Sequence, residues 1–207
     1  MIQDPAPEIF KRHLLEAGIL DEEGIHHKLS SGRHGRKLHF DRISLDSELF
    51  DEWVEVTSLE INRQYTKKSF GKLAVLSVAN GTNELVPRVA DRLGAGVLSL
   101  LTERPDGKDL RLSLSAEDWM KAVAINPLVV LDDVGTTGGN AAEVVKLAQQ
   151  TGFARAEVLY TWQRSPSLEE LDRVGISYDR IIYEPMLIFS PEECAIQGLC
   201  ARGWKLI

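Results

Sequence analysis

Apolar residues recur along the chain with two alternating periodicities. Leu49, Trp53 and Ile61 share one face of a helix predicted from about 46 to 65, whereas 73–79 is a continuous apolar run, typical of a buried parallel strand. The same alternation continues, with further strands predicted at about 97–101, 128–131, 157–162 and 178–183 and helices at about 83–93 and 140–151. This pattern predicts a doubly wound parallel α/β sheet, in which ligands bind beyond the carboxyl ends of the strands.

The N-terminal region has a separate pattern. Phe10 and Leu14 lie at helical spacing, and they predict a first helix. Strands predicted at 25–29 and 37–41 flank a turn at Ser30-Ser31-Gly32. We therefore expect this region to form a small helix followed by a hairpin.

Helix-start signals mark two further helices near the C-terminus. Ser167 and Glu170 have the spacing of a capping box, and Gly175 follows as a helix end. Ser190 with Glu193 three residues later is a second capping box. Both patterns predict short helices.

The overall charge excludes some classes of partner. The chain has 207 residues, with 24 Lys and Arg against 31 Asp and Glu, a net charge of −7. Binding to nucleic acid or to an anionic membrane depends on basic surfaces, so we expect neither partner. Because the sequence has no apolar run long enough to span a bilayer and no signal peptide, it predicts a cytoplasmic protein.

The cysteines and histidines give only a weak metal signal. Cys194 and Cys200 are separated by five residues, which matches neither a close metal-binding pair nor a disulfide framework, so we expect reduced, structural thiols. His26 and His27 are adjacent in a predicted strand, and adjacent strand residues point to opposite faces. The pair is therefore a poor metal site.

The most informative stretch runs from 128 to 140, where an apolar strand leads to two carboxylates and a glycine-rich loop that opens a helix. Backbone N–H groups of such a loop and the positive end of the helix bind a phosphate, and Thr136 and Thr137 add hydroxyl donors. Asp132 and Asp133 suit hydrogen bonds from sugar hydroxyls or a hydrated Mg²⁺. The alternative is an ordinary turn with a solvated acidic pair, which becomes improbable for the whole stretch.

This stretch resembles the phosphoribosyl pyrophosphate (PRPP) signature of the type I phosphoribosyltransferases. The resemblance implies that Asp132 and Asp133 face the ribose hydroxyls and that Mg²⁺ binds mainly through PRPP, with Asp132 or Asp133 as a further ligand. It also implies a single domain over 1–207, with a lid, or hood, built from about 1–42 and about 185–207. The loop implied to wrap the 5-phosphate consists of Val134, Gly135, Thr136, Thr137, Gly138 and Gly139.

Within that family, the segments 27–35 and 38–41 resemble the orotate phosphoribosyltransferases, in which such a turn covers the base. Ser31, Gly32 and Arg33 are the implied base-binding residues. Five Lys and Arg against one Asp lie between His26 and Arg42, a net of 5 − 1 = +4 in an acidic chain. Cationic groups of this kind suit orotate, which carries a carboxylate.

Two loops depart from the orotate pattern. The loop implied to bind pyrophosphate, with Asn80, Gly81 and Thr82, has no lysine, and the implied mobile loop at 102–108 keeps only Arg104 and Lys108 as cations. Gly35 stands where serine is common in the family, and Ser30 where lysine is common. Missing cations would weaken stabilisation of the leaving pyrophosphate.

The sequence thus predicts an Mg²⁺-dependent enzyme that transfers ribose 5-phosphate from PRPP to orotate, giving orotidine monophosphate and pyrophosphate. Arg104 and Lys108 are candidate catalytic residues together with the acidic pair. Two alternatives remain open: a PRPP-sensing regulator without transfer activity, and an enzyme for another base. The resemblance also implies a homodimer.

Overall fold

The computed structural model describes residues 5–65, 73–78, 81–94, 98–103, 111–113, 127–153 and 155–207. Its helices are α1 Ala6–Glu16, α2 Ser47–Tyr65, α3 Leu85–Leu93, α4 Gly139–Gln150, α5 Glu169–Val174 and α6 Pro191–Ile196, with a 3₁₀ helix at Phe40–Leu45. Its strands are β1 Ile25–Lys28, β2 His34–Gly35, β3 Ala74–Ser77, β4 Leu98–Glu103, β5 Arg111–Ser113, β6 Leu128–Gly135, β7 Ala156–Gln163, β8 Tyr178–Tyr183, β9 Ile188–Phe189 and β10 Lys205–Leu206.

Among the described residues, six strands form the main sheet in the order β5-β4-β3-β6-β7-β8. All neighbouring pairs are parallel except β5 with β4. Val75 packs into one hydrophobic cluster, and Ala74 and Leu76 pack into a second cluster. Both faces of the central strands are therefore covered, which explains their continuous apolar runs and confirms the predicted doubly wound α/β sheet.

Strand β6 is longer than its apolar run. It continues to Gly135, with Val134 opposite Trp162 on β7, although the sequence predicts its end at Leu131. The extension comes from pairing with the long strand β7, since polar residues at the end of a run join a ladder when a partner strand is present. Asp132 and Asp133 consequently lie within the sheet.

A second, smaller sheet joins the two ends of the chain. Its order is β10-β1-β2-β9, so it combines two N-terminal and two C-terminal strands. The strand predicted at 37–41 is wrong: β2 pairs with β1 instead, Leu38 makes only an isolated bridge to Leu20, and a 3₁₀ helix starts at Phe40. Phe40 is buried against Trp53, so its apolar character reflects helix packing rather than a sheet face.

The two predicted capping boxes have different outcomes. Ser190 caps α6 as predicted, accepting a bond from the backbone N–H of Glu193. The box at Ser167 is wrong, because the residue preceding α5 is Leu168 and it makes no side-chain cap bond. Instead, the N–H of Glu170 donates to the carbonyl of Thr137 at 2.9 Å, which ties α5 to the glycine-rich loop. Among the residues described, no helix has the length and apolarity to cross a bilayer.

Candidate active site

The glycine-rich loop lies between the end of β6 and the start of α4. Gly138 precedes the helix in a left-handed conformation, with φ of 81°. A Cβ atom at this position would lie 2.7 Å from Cγ of Leu171. Backbone conformation and packing therefore both require glycine here, and the bare backbone keeps the loop open to an anion.

Two adjoining cavities, of about 120 and 360 Å³, lie over this loop. Residues that line both cavities come from the hairpin turn, the end of β6, the loop and α4: Ser30, Asp132, Val134, Thr136 and Asn140. The hairpin turn thus covers the carboxyl edge of the main sheet. The two cavities form one cleft, which has room for a sugar phosphate and a ring.

Asp132 and Asp133 carry adjacent carboxylates in this cleft. The Asp132 carboxylate accepts a hydrogen bond from the N–H of Asp133 at 3.0 Å, and the Asp133 carboxylate accepts one from the N–H of Val134 at 2.7 Å. Burial raises the pKa of Asp132, and the neighbouring carboxylate raises it further. Burial also raises the pKa of Asp133, although the Val134 N–H opposes the shift. A cation or hydroxyl donors would stabilise the ionised form of the two carboxylates.

Arg164 is a cleft residue that the sequence analysis missed. It follows β7, is only 4% exposed, and donates to the carbonyl of Arg36 at 2.8 Å. Burial lowers the pKa of Arg164 to about 10, while the charge of Asp133 opposes the shift. It lines the larger cavity together with Lys28 and Lys37. Its only sequence signal is its position after an apolar strand whose carboxyl end meets the cleft.

The loop after β3 touches the acidic pair. A Cβ atom on Gly81 would lie 2.6 Å from a carboxylate oxygen of Asp133, so a larger residue at this position would have to displace that carboxylate. Thr82 is fully buried, and its hydroxyl donates to the carbonyl of Leu131 at 2.8 Å. Thr82 therefore anchors the loop to β6. Asn80 lies outside the described residues, as do Arg104 and Lys108.

The predicted base-binding turn has divided roles. Ser31 lines the smaller cavity with the glycine-rich loop. Gly32 adopts φ of 77°, which the turn requires. Nη2 of Arg33 bonds both carboxylate oxygens of Glu169, at 3.0 and 2.9 Å, so this side chain ties the hairpin turn to α5. The cations that line the larger cavity are instead those of Lys28, Lys37 and Arg164.

Asp21 contacts two histidines of the N-terminal region. Its carboxylate lies 2.9 Å from Nε2 of His27 and 2.8 Å from Nε2 of His39. Burial opposes ionisation of Asp21, but bonds from His39 and from the N–H of Lys37 outweigh it and lower its pKa. Because His27 also lines the larger cavity, this contact fixes one wall of the cleft.

The chain is similar to proteins of known activity. It is 28% identical over 189 residues to an orotate phosphoribosyltransferase of Desulforamulus reducens, covering 86% of this chain and 84% of the relative. Its fold matches the orotate phosphoribosyltransferase of Aeropyrum pernix (TM-score 0.62, 22% identity, 87% and 93% of the two chains). It also matches the adenine phosphoribosyltransferase of Saccharomyces cerevisiae (TM-score 0.57, 16% identity, 84% and 99%). No family model matches the chain.

Proposed function

We propose that this chain, a relative of the type I phosphoribosyltransferases with their fold, transfers ribose 5-phosphate from PRPP to a ring nitrogen of orotate. The observation that carries the proposal is the composition of one cleft. An anion-binding loop, an acidic pair and a group of cations all face it. These three parts correspond to a phosphate, a sugar with free hydroxyls and an anionic base.

In this proposal the 5-phosphate of the donor occupies the smaller cavity, and the ribose extends past Asp132 into the larger one. The 5-phosphate binds to the N–H groups of the loop at 134–139 and the N-terminus of α4, where the helix dipole favours an anion. Asp132 and Asp133 accept hydrogen bonds from the ribose hydroxyls. The loop at Asn80, Gly81 and Thr82 is the proposed pyrophosphate site, since Gly81 leaves space directly beside Asp133.

The acidic pair also fits an Mg²⁺ ion bound together with PRPP. Mg²⁺ prefers carboxylate and phosphate oxygens and keeps several waters. Burial raises the pKa values of Asp132 and Asp133, and a bound cation would favour their ionised forms. When bound, the ion neutralises the charge that develops on the leaving pyrophosphate. Asp132 or Asp133 would hold it directly or through a water.

The larger cavity is the proposed base site. Lys28, Lys37 and Arg164 line it, and a guanidinium offers two parallel N–H groups to a carboxylate. A neutral purine has no carboxylate for these cations to bind. The cavity therefore favours an anionic base over adenine, although one of the structural neighbours is an adenine enzyme.

Transfer breaks the bond between C1 of the ribose and the pyrophosphate oxygen, which keeps the electron pair. The base nitrogen loses its proton to solvent and supplies the electron pair of the new bond to C1, so the products are orotidine monophosphate and pyrophosphate. Positive charge develops on the ribose during this exchange, and the carboxylates of Asp132 and Asp133 lie on the proposed sugar side. Arg104 and Lys108 are the proposed partners of the departing pyrophosphate.

The test is loss of the ultraviolet absorbance of orotate in the presence of PRPP and Mg²⁺, with release of pyrophosphate as the readout when adenine is the base. The Asp132→Asn, Asp133→Asn double variant is the control, because it keeps the side-chain volume and removes both charges. We expect turnover with the natural sequence, none with the control, and none when adenine replaces orotate. Turnover with adenine alone would reject the orotate assignment but keep the transferase.

A second candidate function is a PRPP-binding regulator without transfer activity. The loop at 102–108 favours it, because Arg104 and Lys108 are its only cations and the loop at 80–82 has no lysine. Calorimetry with Mg-PRPP, combined with the turnover assay, separates the two functions. Binding of PRPP by a folded protein that turns over neither orotate nor adenine would support the regulator.

A further inference from the structure

Four side chains with metal-binding atoms meet in the small sheet that joins the ends of the chain. His26 lies on β1, His34 lies on β2, Cys194 lies on α6, and Cys200 lies in the turn after α6. Their nearest ligand atoms are all within 4.8 Å of one another. The cluster is separate from the proposed catalytic site, because none of the four lines either cavity of the cleft.

Four of the six distances among these ligand atoms lie close to the edges of a small tetrahedron. The two Sγ atoms are 3.3 Å apart, and Nε2 of His26 lies 3.1 Å from Sγ of Cys200 and 3.7 Å from Sγ of Cys194. Nδ1 of His34 lies 3.7 Å from Sγ of Cys200. Ideal Zn²⁺ bond lengths to sulfur and nitrogen give tetrahedral edges of about 3.3–3.8 Å. Small shifts of these side chains would place all four on one ion.

The surroundings suit a buried metal rather than a solvated group. His26 and Cys194 are fully buried, and His34 is 7% exposed. Both cysteines are free thiols. The N–H of Cys200 donates to Sγ of Cys194 at 3.2 Å, a contact that stabilises a thiolate. Two imidazoles and two thiols packed together without an ion would satisfy one another poorly, since S–H is a weak donor.

We propose that His26, His34, Cys194 and Cys200 bind one structural Zn²⁺ ion. Two thiolates with two imidazoles form a tetrahedral set that is typical of zinc, and four protein ligands leave no open position for substrate. The ligand atoms are also too close together to hold two metal ions of an iron–sulfur cluster at opposite ends.

The proposed ion would connect the N-terminal hairpin to the C-terminal segment. Cys194 and Cys200 lie more than 150 positions after His26 and His34 in the sequence. His27 and Lys28 follow His26 on β1, and both line the larger cavity of the cleft. The ion would therefore hold one wall of the cleft in place without contacting substrate.

Metal content of the natural protein is the first test. We expect about one Zn²⁺ per chain after expression in zinc-supplemented medium and purification without chelator, measured by mass spectrometry of the metal. Replacement by Co²⁺ should give the visible absorption of a tetrahedral ion with thiolate ligands. Absence of both signals from the folded protein, or a Cys194–Cys200 disulfide found by peptide mapping, would overturn the proposal.

Variants test the ligand set. Cys200→Ser and His34→Ala should each lose most of the bound zinc. His34→Cys should retain it, because Cys₃His is also a zinc site, and His13→Ala should retain it as a surface histidine outside the cluster. Retention of full zinc by Cys200→Ser, or loss in His13→Ala, would contradict the assignment. These readouts do not depend on the proposed transferase activity, so the two proposals can fail separately.

Discussion

The cleft and the small sheet assemble their side chains in opposite ways. The acidic pair and the phosphate loop come from one continuous stretch, 132–140, at the end of a single strand. The Cys and His cluster draws on two strands, a helix and a turn from the two ends of the chain. A site built by local sequence can be recognised as a motif, whereas a site built by the fold becomes visible only when distant segments are placed together.

The side chains of the two regions also differ in the kind of cation that they would bind. The cleft holds two buried carboxylates close together, and burial raises their pKa values, so their ionisation costs free energy unless a cation or a hydroxyl donor binds them. The cluster holds two imidazoles and two thiols, and the thiols must lose their protons to bind a metal. We therefore expect Mg²⁺ to bind weakly and together with substrate, and Zn²⁺ to bind tightly and to stabilise the fold.

The largest expected effect is removal of the proposed zinc. A chelator, or Cys194→Ser, should lower the free energy of unfolding by about 4 kcal/mol. This is the stabilisation given by a ligand whose free concentration is about 1,000 times its Kd. Urea unfolding with and without added Zn²⁺ measures it. An unfolding midpoint that does not change with added Zn²⁺ would contradict a structural role for the metal.

The next effect concerns the base side of the cleft. Arg164→Gln should raise the KM for orotate by about 100-fold, roughly 3 kcal/mol, because a hydrogen bond to a charged group is lost from a buried site. The affinity for PRPP should change little. Steady-state kinetics with each substrate varied in turn separates the two constants. An equal loss for both substrates would place Arg164 in the support of Asp133 and not at the base.

A smaller effect tests the glycine-rich loop. Gly138→Ala should destabilise the protein by about 2 kcal/mol, since φ is 81° there and the added Cβ would meet Leu171. Gly175→Ala is the matched control, with φ of 69° and nothing within 4 Å of the added atom. Thermal unfolding of both variants checks this. If the two lose the same stability, packing against Leu171 has no role.

The smallest effect is a gain in stability of the ligand-free protein when Asp132 is replaced. The raised pKa of Asp132 means that the native state holds more protons than the unfolded state between about pH 3.8 and the native pKa. Its contribution to stability therefore falls as pH rises from 3.8 through the native pKa. Asp132→Asn should stabilise the ligand-free protein at pH 7 by about 1 kcal/mol, a rise of roughly 2–4 °C in Tm. A lower Tm at pH 7, with no change in slope against pH, would contradict this.

The sequence predicted the main sheet well because its strands are buried on both faces and carry their own apolar signal. It predicted the phosphate loop for a similar local reason. It missed the 3₁₀ helix at Phe40, since alternating apolar residues fit both a strand and a short helix packed on Trp53. Arg164 and the Cys and His cluster were missed because their partners lie far away in the sequence, and local spacing carries no information about such contacts.

The segment 132–140 is the proposed PRPP site, and calorimetry measures PRPP binding without requiring turnover. Titration of Mg-PRPP into the natural protein should show saturable binding. The Asp132→Asn, Asp133→Asn variant should bind at least about 100-fold more weakly while remaining folded by circular dichroism, since two buried charge-assisted contacts are lost. Equal affinity in a folded variant would contradict the assignment of the acidic pair to the ribose, and with it the proposed site.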